Sequence, residues 1–121
     1  MARIAALAFV FTWFFAGGLG HFLATDFFVA IVPPYVPFPR EIVLATGACE
    51  IAGALALWPR RLRRLAGLAL IAYAICVTPV HVDMLVHAAR HDASEILLWL
   101  RLVFQPVLIW LIWAATQSRR Q

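Results

Sequence analysis

Charge is scarce in this chain. Of its 121 residues only 13% are charged, whereas 64% are hydrophobic and the mean hydropathy is +0.89. A soluble domain is about half apolar and about a quarter charged. A chain this short leaves much of its surface exposed, so the apolar excess must be exposed too, and its solvent is lipid. Lysine is absent: all ten basic residues are arginine, and the net charge is +4. A pI near 10.0 would suit nucleic acid. The arginines, however, lie in short clusters between apolar runs, a placement that meets lipid headgroups instead, so no nucleic-acid partner is expected. Cysteine is rare as well. Cys49 and Cys76 each fall inside an apolar run without a CxxC partner, which excludes a zinc ribbon or thioredoxin-type motif and predicts two small buried residues. There is no phosphate-binding glycine loop, dinucleotide fingerprint or serine nucleophile elbow. No flavin, haem or nicotinamide signature is present either, so any electron transfer would use a borrowed centre.

What is present is a set of four apolar runs. A spanning helix needs about 20 mostly apolar residues, and such runs lie at 4–23, 42–58, 65–85 and 96–116. They are too long and too rich in Ala and Leu for strands, and they lack period-two alternation. The expected fold is therefore all-α, a single four-transmembrane-helix bundle over residues 1–121. The first connection, 25–40, holds Pro33, Pro34, Pro37 and Pro39, which oppose a helix and favour an extended path. Phe27, Phe28, Tyr35, Val36 and Phe38 make it too apolar for open water. It is expected on the membrane surface, as a lid over the bundle. The second connection, 59–64, reads as a short basic turn, and the third, 87–95, as a polar loop.

Arginine asymmetry orients the bundle, because short basic loops stay in the cytoplasm. The N-terminus, second connection and C-terminus carry Arg3, Arg60, Arg61, Arg63, Arg64, Arg119 and Arg120, against Arg40 and Arg90 on the other side. Both termini are thus expected to be cytoplasmic. The acids Asp26, Glu41, Glu50, Asp83, Asp92 and Glu95 all fall in the opposite half. A cleaved signal peptide ending near Gly18-Leu19-Gly20 is the rival reading of the first run; it would leave an odd number of spans, and the apolar run is longer than a signal core.

The polar residues within the runs carry the functional argument, since ionisable side chains in a bilayer are costly and mark functional sites. Glu50 lies roughly 13 Å from the outer end of its helix and Arg101 roughly 9 Å, at about 1.5 Å per residue. His81 and Asp83 sit near the outer end of the third run, and His21 near that of the first. Every run therefore offers a polar group to the same outer half. Gly47, Gly53, Thr46 and Ala54 flank Glu50 at helical spacing, so small residues turn it toward a neighbouring helix. Arg101 and Gln105 share a face, and Tyr73, Val77, His81 and Met84 form a stripe. The expected arrangement is a buried Glu50–Arg101 pair surrounded by His21, His81 and Gln105, acting as a ligand site or proton relay. The bland alternative is a pair that only fixes helix register, with Asp83 and His87 as a surface pair. No metal site is expected, because no run carries an H-x-x-x-H or E-x-x-H pair facing inward; His87 and His91 read as solvated loop residues. Trp58, Trp99, Trp110 and Trp113 read as an interfacial belt, with Trp13 deeper, against a pocket or lipid.

The segments Ala16-Gly17-Gly18-Leu19-Gly20-His21-Phe22 and Val32-Pro33-Pro34-Tyr35-Val36-Pro37 resemble the opening of small DoxX-like membrane proteins. So do Gly47-Ala48-Cys49-Glu50-Ile51-Ala52-Gly53 before an arginine-rich turn, Thr78-Pro79-Val80-His81-Val82-Asp83-Met84, and Leu100-Arg101-Leu102-Val103-Phe104-Gln105. The resemblance covers nearly the whole chain in order. It implies a four-helix membrane bundle, with the family's polar positions at His21, Glu50, Arg101 and Gln105; at His81 many members carry Asn. It also implies a link to quinone-coupled redox complexes, although the wider fold includes assembly chaperones and cargo receptors.

The expected protein is thus a multi-pass protein of the bacterial cytoplasmic (inner) membrane. It would bind a small amphipathic ligand such as a quinone, in association with a redox or membrane-protein partner and surrounding lipid. Arg101 and Gln105 would hold the ligand's polar head, and Glu50 with a histidine would carry protons. No residue is assigned as catalytic, and a quinone-linked oxidoreductase subunit is the enzymatic form of this reading. The alternative is a non-enzymatic assembly or partner-binding subunit. A proton-coupled transporter comes third and would need a homodimer.

Overall fold

A computed structural model of the chain describes residues 1–91 and 94–117. Asp92, Arg119, Arg120 and the side chain of His91 lie outside the described residues. Five α-helices follow in order: α1 (Ala2–Leu23), α2 (Thr25–Ile31), α3 (Pro39–Ala56), α4 (Arg60–Val86) and α5 (Glu95–Thr116), with a 3₁₀ turn at Ala88–His91 before α5. The all-helical expectation holds. Helices α1, α4 and α5 are long and apolar enough to cross a membrane. Helix α3, which contains most of the expected second run, has 18 residues that include Arg40, Glu41 and Glu50, and does not meet that standard.

Two connections differ from expectation. The segment 25–40 is not extended throughout, because Thr25–Ile31 forms α2. No proline interrupts those seven residues, and the constraint that proline places on its predecessor acts only at Val32, whose ψ of 131 ends the helix. The basic stretch is also not a turn. Pro59 caps α4, Arg60–Arg64 form its first residues, and the reversal is confined to 57–59. Arginine is a good helix former, and proline is well tolerated at a helix start.

The four long helices pack in a ring, α1 against α3 and α5, and α4 against α3 and α5. Each turns one helical stripe inward: Leu7, Val10, Phe14, Gly18 and His21 on α1, and Val43, Gly47, Glu50 and Ala54 on α3. Cys49 and Cys76 are exposed rather than buried. Cys49 directly precedes Glu50, and a helix that buries position 50 turns position 49 by about 100° onto the outer surface, at 3.6 residues per turn.

The two halves of the ring are packed differently. At the end holding the termini, Leu7, Val10, Leu57, Leu70, Leu108 and Ile112 join a continuous core. Polar staples close that end: Arg3 Nε donates to Ala115 O at 2.9 Å, Arg63 Nε to Leu57 O at 2.8 Å, and Gln117 Nε2 to Arg64 O at 2.7 Å. The other half is hollow.

Candidate functional site: a polar-headed cavity

The hollow half contains a cavity of about 710 Å³, within the range of about 300–1,000 Å³ usual for small-molecule sites. Its walls are mainly apolar and aromatic, including Phe9, Trp13, Phe14, Ile42, Val77 and Val80. Phe28 and Ile31 of α2, with Val32, Pro33 and Val36, line it from the first connection. Phe28 lies against the His21 ring, centroids 4.2 Å apart. The segment expected as a lid thus supplies part of the cavity wall, through a short helix and a buried proline. Of the expected site residues, His21, Glu50, His81, Arg101 and Gln105 all line the cavity.

Glycines bring α1 and α3 together at this point. A side chain added at Gly47 would stand 2.5 Å from His21 Cβ and 3.1 Å from the Gly18 carbonyl. One added at Gly17 would lie 2.7 Å from Glu50 Oε2. Backbones without Cβ atoms thus let Glu50 lie flat against α1. Its Oε1 accepts from the Tyr73 hydroxyl of α4, and His21 Nε2 lies 3.6 Å from the same oxygen. The imidazole is oriented from behind, with Nδ1 2.8 Å from Val43 O and 3.1 Å from Thr46 Oγ1.

Arg101 belongs to a second polar group. One guanidinium nitrogen, Nη1, donates to Gln105 Oε1 at 2.7 Å, and Cζ stands 5.2 Å from the centroid of the Trp13 ring, a cation–π arrangement. Gln105 Nε2 in turn donates to Ala74 O at 2.9 Å and approaches Thr78 Oγ1 at 3.3 Å. Ala74 and Thr78 lie beside the turn that Pro79 weakens by withholding its N–H. Gln105 consequently ties α5 to α4 and aims Arg101; its amide is committed to protein. His81 Nε2 is buried with no partner among the described residues.

The expected direct Glu50–Arg101 pair is not formed. Among the described residues no ion pair joins them. Glu50 is taken by Tyr73 and His21, and Arg101 by Gln105 and Trp13, which leaves the two charges on one cavity without contact. Asp83 and His87 pair with each other at 3.2 Å and do not line this cavity. No group of three or more His, Cys, Asp or Glu among the described residues is placed to hold a metal ion.

Tyr73 is the partner that sequence reasoning did not assign. Its signal was its place one turn before Val77 and two before His81 on one helical stripe. Residues 7–116 match the model of a family described as a domain of unknown function (DUF8561). The chain belongs to that family. The matched region contains every residue that lines the cavity. No curated protein and no solved structure matches the chain.

Proposed function

We propose that this chain is a four-crossing protein of the bacterial cytoplasmic membrane, with both termini cytoplasmic, that holds a small amphipathic ligand in the outer half of its bundle. The observation that carries the reading is the cavity itself, an apolar chamber of about 710 Å³ with a polar head. An amphiphile's tail would lie against the aromatic and aliphatic walls, and its head would face Arg101, His81 and the Glu50–Tyr73–His21 group. The DoxX-like resemblance suggests a quinone and an association with redox partners. Helix α3 would be the fourth crossing: 18 residues reach about 27 Å at 1.5 Å per residue, close to the hydrocarbon thickness of about 30 Å. Its charges sit at the first turn or face inward.

The test is mass spectrometry of small molecules retained by protein purified in mild detergent, comparing wild type with Arg101→Ala and the cavity-filling Val77→Trp. The expected result is one defined amphiphile at near-equimolar amount, lost from both variants while the helical signal persists. Bulk lipid alone in all three samples would overturn the reading.

A second reading has its own support. Ala45, Ala48, Cys49 and Ala52 of α3 are exposed, a small-residue face that would let another membrane helix approach closely. A protein that co-purifies at fixed stoichiometry, and is lost on Ala48→Leu, would favour a partner-binding subunit.

A further inference from the structure

Six titratable side chains line the cavity: His21, Glu50, Tyr73, Cys76, His81 and Arg101. Their hydrogen bonds show which of them are already committed to protein. Val43 O can only accept, so His21 Nδ1, 2.8 Å away, carries a hydrogen. The nitrogen aimed at Glu50 is therefore Nε2, a bare acceptor in the neutral ring. The oxygen it faces, 3.6 Å away, already accepts the Tyr73 hydroxyl, so Glu50 is held between α1 and α4.

Arg101 is the cavity's cation with donors to spare. Its guanidinium has five N–H donors, of which one is bonded to Gln105, and Gln105 together with Trp13 holds it in place. Beside it, within electrostatic reach, His81 Nε2 is buried without a partner. Uncommitted donors on a fixed guanidinium bind most strongly to an oxygen that accepts and carries negative charge.

From these idle donors and the unpartnered His81 nitrogen we infer that the head of the cavity's occupant is an oxyanion, a carboxylate on an apolar chain, held by Arg101 and His81. The inference rests on the ligand-binding reading and narrows it: the uncharged quinone ring is the poorer fit, because its carbonyl oxygens accept without the negative charge that strengthens a bond from a guanidinium. Gln105 acts as a positioning residue through Arg101.

The experiment titrates the full-length protein in maltoside micelles, at mildly alkaline pH, with dodecanoate, dodecanol and decylubiquinone, following binding by calorimetry. Dodecanoate is expected to bind at least about tenfold more tightly than dodecanol, the scale of one charge-assisted hydrogen bond. Arg101→Gln should erase that preference, Arg101→Lys should restore part of it, and His81→Ala should reduce it. Equal or tighter binding of dodecanol or decylubiquinone would overturn the oxyanion head while leaving the cavity a ligand site. No binding of any probe to folded wild-type protein would overturn both. If Arg101→Gln does not fold, the ranking of the three probes on wild type still decides.

Discussion

Gln105 is committed at both ends of its amide, accepting from Arg101 and donating to the Ala74 carbonyl, and it is only 3% exposed. The spacing of Arg101 and Gln105 made their shared face legible, but suggested two parallel ligand contacts; the fold makes one the support of the other. Gln105→Leu keeps the approximate volume and removes both bonds. It should lower stability by about 1–3 kcal/mol, the cost of leaving buried polar groups without partners, read as a reduced Tm in detergent. An unchanged Tm would show that the amide is not the link between α4 and α5. Tyr73 shows the opposite limit. A single tyrosine in a helix reads equally well as packing or as an interfacial anchor, and its bond to Glu50 spans 23 residues of sequence, beyond what helical periodicity can see.

Among the elements, the crossing of α1 and α3 sets the site. Gly18 approaches Gly47, and a Cβ at Gly18 would lie 2.8 Å from the Gly47 carbonyl and 2.7 Å from Ile51 Cγ1. Gly47→Leu therefore has no room, and should force the helices apart. Overpacking of a fitted interface costs about 1–3 kcal/mol, with loss of retained ligand because His21 and Glu50 move with their helices. The measurements are thermal unfolding and ligand retention in detergent; normal values for both would mean that the close approach is dispensable. The small residues around Glu50 pointed to this interface in advance. The partner helix did not follow from them, since Gly53 faces Leu70 of α4 while Gly47 faces α1. Proline was a sound guide at one position and a misleading one over a range. It ended α2 at Val32, yet it did not prevent a helix just before it, nor break α4 at Pro79 or α5 at Pro106.

Over the whole molecule, the arginines and the packing divide the bundle in the same sense. The solid half carries Arg3, Arg60, Arg61, Arg63 and Arg64, and the hollow half carries the cavity with Glu50 and Arg101. Arginines at the solid end would meet the cytoplasmic leaflet, so the cavity would face the outer leaflet. This predicts an accessibility pattern in a Cys49→Ala, Cys76→Ala background. In intact cells, a membrane-impermeant maleimide should label Asp26→Cys, at a position whose side chain is 98% exposed. It should label Arg61→Cys only after permeabilisation. The reverse pattern would overturn the orientation, and labelling of both in intact cells would overturn an odd number of crossings between them.

The sequence by itself determined the solvent, the secondary-structure class and the polar inventory. Each of these depends on composition or on spacing within one helix: the scarcity of charge, the apolar runs, and the gathering of His21, Glu50, His81, Arg101 and Gln105 toward one end. Only the tertiary structure decided which of those groups touch. Glu50 and Arg101 were the obvious pair because they are opposite charges in an apolar medium. Yet contact between side chains on different helices depends on how the helices cross and rotate, and glycine contacts set that here. They put Glu50 against Tyr73 and His21, left Arg101 to Gln105 and Trp13, and opened between the two groups a space that no one-dimensional pattern contains.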